Sequence, residues 1–300
     1  MKKLLLTTAL LSTLLLADST DRTQINLSTD DNGNTNPDLF IPIYWGDSLF
    51  SALGYSSSNF YEVAPLSSIA NSRIGTTVDQ RTMKLNLLTY ELKFNSMTYA
   101  LGGEVESITI NKQEFGYFEQ AADIVAADNS IEIDVIKPNI KADISYQTKD
   151  LLVRLGALVS PYSNLSVKQT TVFQPLVTTN GTSSSSTSQD LSYELNLALK
   201  YKVSSLMTLH FNSNYSYLPM KYDLAVLNST LDDFTTDTIE VQETTTTNDI
   251  KLSFNIDSFS SELSPSIGYR IQSMSSLDVG SSTTTSLDNN AWLIGFEGRF

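Results

Sequence analysis

The chain has 300 residues, no cysteine, one histidine and a formal charge of -14 at pH 7. So acidic a balance argues against a nucleic-acid partner, whose phosphates call for a basic face. Without cysteine, neither disulfides nor thiolate metal sites hold the fold and no lipid is attached through an N-terminal Cys, so stability rests on hydrogen-bonded secondary structure and packing.

The chain opens with Lys2 and Lys3, then an apolar run from Leu4 to Leu16, Ala17, and the polar Asp18, Ser19 and Thr20. That run is roughly 13 residues, short of the ~20 that span a bilayer as a helix. Residues 1–17 therefore read as a secretory signal peptide, cut after Ala17. Residues 18–44 are polar and are expected to form a disordered periplasmic arm. Beyond them no segment approaches the roughly 18 apolar residues of a spanning helix. Membrane β-strands escape such a search, because only alternate residues face lipid.

Residues 45–300 carry that alternation, and ten strands are read from it. The first lies near Asp47 to Ser56, with Leu49, Leu53 and Tyr55 on one face. The second, near Asp79 to Phe94, changes parity between Leu85 and Leu88, which a bulge near Leu87 would reconcile. The third shows Tyr99, Leu101, Gly103 and Val105; the fourth Ile136, Ile140, Ala142, Ile144 and Tyr146; the fifth Leu151, Val153, Leu155, Ala157 and Val159. The sixth sets Leu191, Tyr193, Leu195, Leu197, Leu199 and Tyr201 against Ser192, Glu194, Asn196, Ala198 and Lys200, a period of two held for eleven residues. That length suits a tilted membrane strand, and tyrosines at both ends suit the two interfaces. The seventh has Met207, Leu209, Phe211, Tyr215 and Tyr217; the eighth Ile250, Leu252, Phe254 and Ile256; the ninth Leu263, Pro265, Ile267, Tyr269 and Ile271.

Connections alternate in length. Residues 95–98, 147–150, 202–205 and 258–261 are short turns, and residues 57–78, 111–130, 160–189, 218–248 and 274–290 are long polar stretches rich in Ser, Thr, Asn and Asp. Short periplasmic turns and long extracellular loops are the asymmetry of outer-membrane barrels. Within the second long stretch, residues 123–128 are expected to form one helical turn.

The tenth strand puts Trp292, Ile294, Phe296, Gly298 and Phe300 on one face and Leu293, Gly295, Glu297 and Arg299 on the other. These nine residues resemble the final strand of bacterial outer-membrane β-barrel proteins, whose terminal aromatic is read by the assembly machinery. The resemblance implies an outer-membrane location, with membrane lipid, lipopolysaccharide and that machinery as partners. The expected fold is an all-β, antiparallel transmembrane barrel of about ten strands, with eight or twelve as alternatives.

The face opposite the apolar one holds Glu91, Lys93, Glu104, Glu106, Lys141, Asp143, Arg154, Glu194, Lys200, Lys251, Asp257, Glu262, Arg270, Glu297 and Arg299. In a narrow lumen such mixed signs are expected to pair, because bare facing charges are costly. His210 shares this face with Thr208, Asn212 and Asn214. The paired aspartates and Asp-His couple of the omptin proteases are missing around it. The outer-membrane phospholipase pattern, a His followed by Ser two residues on, meets Asn212 instead. His210 is therefore read as an ordinary lumen residue, and no catalytic set, metal or cofactor is expected. Asp223, Asp232, Asp233, Asp237, Glu240 and Glu243 read as a solvated acidic loop. The function expected is an integral outer-membrane protein with a closed or narrow lumen. A narrow solute pore, an adhesin for an unknown extracellular ligand and a rim-located hydrolase are the alternatives.

Overall fold

In a computed structural model of the chain, residues 23–30, 33–46, 48–63, 72–120, 123–174, 178–227, 234–254 and 263–298 are described. The expected signal peptide, the expected turn at 258–261, Asp232, Asp233, Asp257, Glu262, Arg299 and Phe300 lie outside them.

Fourteen antiparallel strands make one sheet: β1 (Thr23–Asp30), β2 (Thr35–Gly46), β3 (Leu49–Val63), β4 (Ser72–Phe94), β5 (Met97–Gln120), β6 (Asp123–Gln147), β7 (Leu151–Ser160), β8 (Ser163–Gln174), β9 (Thr178–Ser188), β10 (Ser192–Lys202), β11 (Met207–Leu227), β12 (Phe234–Phe254), β13 (Leu263–Asp278) and β14 (Thr283–Gly298). Twelve of them close a ring that runs from β1 through β7, continues with β10 through β14, and returns to β1. Closure satisfies every ladder inside the hydrocarbon, which leaves no edge for lipid to meet.

The count of ten is corrected to twelve ring strands, with β8 and β9 outside the ring. The ten strands read from the sequence are all present, and β1 and β2, which lie almost wholly within the arm expected over residues 18–44, supply the other two. β1 seals the ring by pairing Thr23–Asp30 with residues 291–298 of β14. Its outward apolar residues are only Ile25 and Leu27, and β2 contains Pro37 and Pro42, so neither run reaches the density that marks the later strands. The helical turn expected at 123–128 is also corrected. Asp123 opens β6 and its first residues pair with β5.

The bulge near Leu87 is found: the β4–β5 register shifts between Asn86 and Leu88, so Leu87 and Leu88 both face outward. Outward apolar side chains form the exposed band, among them Leu92, Leu101, Ile140, Leu195, Ile250 and Ile294. Trp45, Phe94, Tyr99, Tyr146 and Tyr201 fringe its periplasmic side. Tyr193, Tyr215 and Tyr217 pack ring to ring on the other, with centroids 5.2 Å and 6.1 Å apart. Aromatic fringes of this kind belong to membrane interfaces. In the terminal strand Trp292, Ile294 and Phe296 face outward as expected, 59%, 59% and 48% exposed.

Where they are described, the long polar stretches are mostly strand and not loop. They are strands continued into water, and β6 shows how. Its even residues Ile136, Ile140, Ala142, Ile144 and Tyr146 face lipid while Lys137, Asn139, Lys141, Asp143 and Ser145 face the lumen. Toward the outer end the same parities hold but their polarity exchanges. Asp134, Glu132 and Ser130 now face water, while Ile131, Ile133 and Val135 point inward at 4%, 3% and 0% exposure.

The lipid-facing assignment is testable on β10, where Leu197 lies between Leu155 and Ser213 on the outward face and Asn196 bonds Asn214 inside. Leu197→Arg should cost about 2 to 4 kcal/mol at mid-membrane. Asn196→Arg should cost far less, since Glu194 and Asp143 stand near. Urea titration of both variants in lipid vesicles reads the difference.

Candidate functional site

Three ion-pair groups cross the lumen. Lys84 on β4 reaches Glu194 on β10 at 2.6 Å and Glu106 at 3.6 Å. Lys137 holds Glu106 at 3.0 Å, and Asn139 Nδ2 donates to Glu106 at 3.1 Å and Glu104 at 3.3 Å. Asn214 Nδ2 donates to Glu194 at 2.7 Å. On the opposite wall Arg270 binds Asp249 through two nitrogens at 2.7 Å and 2.8 Å, and also binds Asp38 on β2. Nearer the periplasm Lys200 on β10 meets Glu297 on β14 at 2.8 Å. Each group joins strands that are not neighbours in the ring, so side chains occupy the bore instead of lining it. Charges taken this far from bulk water persist only when paired.

Of the expected lumen charges, Glu194, Lys200, Arg270 and Glu297 are thus brought together with ion partners, Glu104 is held by Asn139, and Arg154 borders the space between them. Arg299 is outside the described residues. The sequence reading missed Lys84, Lys137 and Asp38. Lys137 shares the parity of Lys141 and was available to it. Lys84 was obscured by the bulge, and Asp38 by the arm assignment.

His210 is buried, with Nε2 at 2.6 Å from Ser253 Oγ, and Ser253 Oγ donates to the Thr208 carbonyl at 3.3 Å. Which of the two atoms donates is set by the imidazole tautomer. The pair is an interstrand contact that spacing along one strand did not reveal.

Spaces remain between the ion pairs. One of about 460 Å³ lies at mid-lumen among Lys84, Glu194, Lys251 and Arg270. Another of about 300 Å³ lies beside the periplasmic turn, among Gln147, Lys149, Asp150 and Lys202, and the two share Arg154, Lys200 and His210.

Above the larger space the lumen turns apolar. Phe60, Val78, Ile108, Ile110, Ile131, Ile133, Val135, Leu165, Val167, Leu218, Met220, Tyr222, Val241, Met274 and Leu287 form one buried cluster, drawn from β3 to β6, β8 and β11 to β14. Burial of each large side chain contributes about 1.5 to 3 kcal/mol. The cluster closes because the ring narrows. The β1–β2 hairpin ends at Asp30 and Asn34, and above it β14 meets β3 directly through Asp288 and Tyr61. At the same level β7 gives way to β8 across Pro161 and Tyr162, and β9 precedes β10. Both successors keep the line of their predecessors, since β6 pairs with β7 over 140–147 and with β8 over 126–136. Ten strands surround this cap where twelve surround the polar lumen, and a smaller ring is one that side chains fill.

Not all of the acidic stretch is solvated. Glu243 is 7% exposed at the base of the cap, above the tyrosine fringe, between Leu218 on β11 and Ser276 on β13. Burial pushes its carboxyl up to about 7, against the pull of Lys112 and Lys137.

No protein-family model matches the chain, and no curated relative does. Among solved structures, the chain is similar to the translocator domain of the autotransporter NalP from Neisseria meningitidis at 13% identity and a TM-score of 0.51, covering 100% of this chain and 96% of that one. It is also similar to the Pseudomonas putida toluene transporter TodX, at 11% identity and a TM-score of 0.48 over 98% and 93% of the two chains. For the Escherichia coli outer membrane protease OmpT the values are 9% and 0.49 over 92% and 91%. The likeness to the NalP translocator shows a shared barrel fold. Together with the exposed apolar band and its aromatic fringes, it makes this chain an outer-membrane β-barrel.

Glu243 gives the cap a pH dependence of known sign. Its folded pKa lies above its unfolded value, so the folded state holds the extra proton between them. Stability is therefore greatest below the ordinary carboxylate range and falls as pH rises through about 7. Urea midpoints should be higher at pH 5 than at pH 8, and Glu243→Gln should flatten that slope while leaving the pH 5 midpoint close to the parent's.

Proposed function

We propose that this chain is a closed outer-membrane barrel whose strand extensions present a rigid binding or adhesion surface outside the cell. The observation that carries the reading is the apolar cap, to which nine strands contribute among the described residues and which lies between the mid-lumen space and the exterior. The cap's outer faces are polar: Glu132 and Asp134 on β6, Lys168 on β8, Glu240 and Gln242 on β12. Charged and amide side chains held on paired strands meet a ligand with less ordering cost than a loop does. In this reading the apolar band contacts membrane lipid and lipopolysaccharide, and the Trp292 strand is the segment handed to the assembly machinery.

One observation favours a gated narrow pore as the second reading. Among the described residues no backbone ladder joins β9 to β11. Serine side chains bridge them instead, Ser186 Oγ donating to the Lys221 carbonyl at 2.9 Å and Ser184 Oγ to that of Asp223 at 3.4 Å. The β8–β9 hairpin is the part of the cap held least firmly, and it carries Leu165 and Val167.

Planar-bilayer recording separates the two. The parent barrel should show no stable conductance steps, whereas replacing residues 161–190 by a short Gly-Ser link should open the lumen and produce steps. Stable steps from the parent at neutral pH would favour the pore.

A further inference from the structure

We propose that the lumen contains an oxyanion site centred on Lys251, open to the periplasm, which holds a small solute bearing a phosphate or carboxylate group. The register creates a row on the inward face: Lys200 on β10 pairs with His210 on β11, His210 with Lys251 on β12, and Lys251 with Gly268 on β13. Gly268 is a requirement of the row. A Cβ there would stand 2.6 Å from Lys251 Cγ and 2.3 Å from the Ile250 carbonyl, so the lysine stem lies where a side chain would otherwise be.

Lys251 differs from the other inward cations in its partners. It is 8% exposed, yet among the described residues no carboxylate reaches it within ion-pair distance. The two nearest acids are engaged elsewhere, Asp249 by both forks of Arg270 and Glu297 by Lys200. Arg270 and Lys200 border the same space and add positive charge. A buried ammonium with no carboxylate at ion-pair distance is costly, and an anion bound from solution removes that cost.

Access and size define what binds. The apolar cap lies over the outer end, and the space of about 460 Å³ shares Arg154, Lys200 and His210 with the one of about 300 Å³ beside the periplasmic turn, the side from which a solute would enter. A small solute fits there and a macromolecule does not. The oxyanion would lie between the ammonium groups of Lys251 and Lys200, with His210 held beside them by Ser253. The site does not depend on what the outer surface binds.

The test uses the mature chain folded in detergent micelles and titrated calorimetrically with inorganic phosphate and with acetate. At least one probe should bind saturably, one per barrel. Its affinity should fall at least tenfold in Lys251→Met and stay unchanged in Lys168→Met, which removes a surface lysine bound to Glu132 at 3.2 Å. The heat-modifiable band confirms that each variant is folded. A second reading needs no variant: the bound probe should protect Lys251, and not Lys168, from acetic anhydride, as read by peptide mass spectrometry. Absence of saturable binding by both probes, equal affinity in Lys251→Met, or equal modification of Lys251 with and without probe would overturn the proposal.

Discussion

A β-strand cannot change which residues point to which side without a bulge, because its side chains alternate with a period of two. A strand that leaves hydrocarbon for water while staying in one sheet must therefore exchange the chemistry of its two faces. β6 does this between Lys137 and Val135, over a single step of the inward row. β5 does it between Glu106 and Ile108, and β11 between Ser216 and Leu218. These exchanges fall at one level of the ring, just above the tyrosine fringe, and everything distinctive in the molecule follows from them.

Below that level the barrel is inside-out, with apolar residues toward lipid and ions toward the lumen. Above it the same strands form a protein of the ordinary kind, apolar within and polar without. The end of the β1–β2 hairpin reduces twelve strands to ten at the transition, while β8 and β9 take the places of β7 and β10. A narrower ring brings facing side chains into contact. The cap is thus a product of strand length as much as of composition, and the polar lumen lies beneath it.

Much of this was legible in the sequence, and the omissions have physical causes. The strands around Leu195, Phe211 and Ile294 announce themselves because lipid demands an unbroken apolar face. β1 and β2 do not, since short strands beside Asn, Asp and Pro place few side chains in hydrocarbon. The cap was hidden by an assumption about loops. Residues 130–136 alternate as cleanly as any membrane strand, but with apolar residues on the opposite parity, and a search for lipid-facing positions passes over them. Lumen charges such as Glu194 and Arg270 could be named from parity alone. Their partners could not, because Lys84 with Glu194 and Arg270 with Asp38 meet across the bore, where no spacing along the chain applies.

The central claim is that the outer half of the lumen is dry and apolar, and single-cysteine accessibility along β6 tests it most directly. The natural chain has no cysteine, so each variant carries one thiol. In intact cells a membrane-impermeant maleimide should label Glu132→Cys and Asp134→Cys, and should leave Ile131→Cys and Ile133→Cys unmodified until the protein is denatured. Labelling of Ile133→Cys as fast as Glu132→Cys in folded protein would mean that water enters the barrel from outside, and that no cap exists.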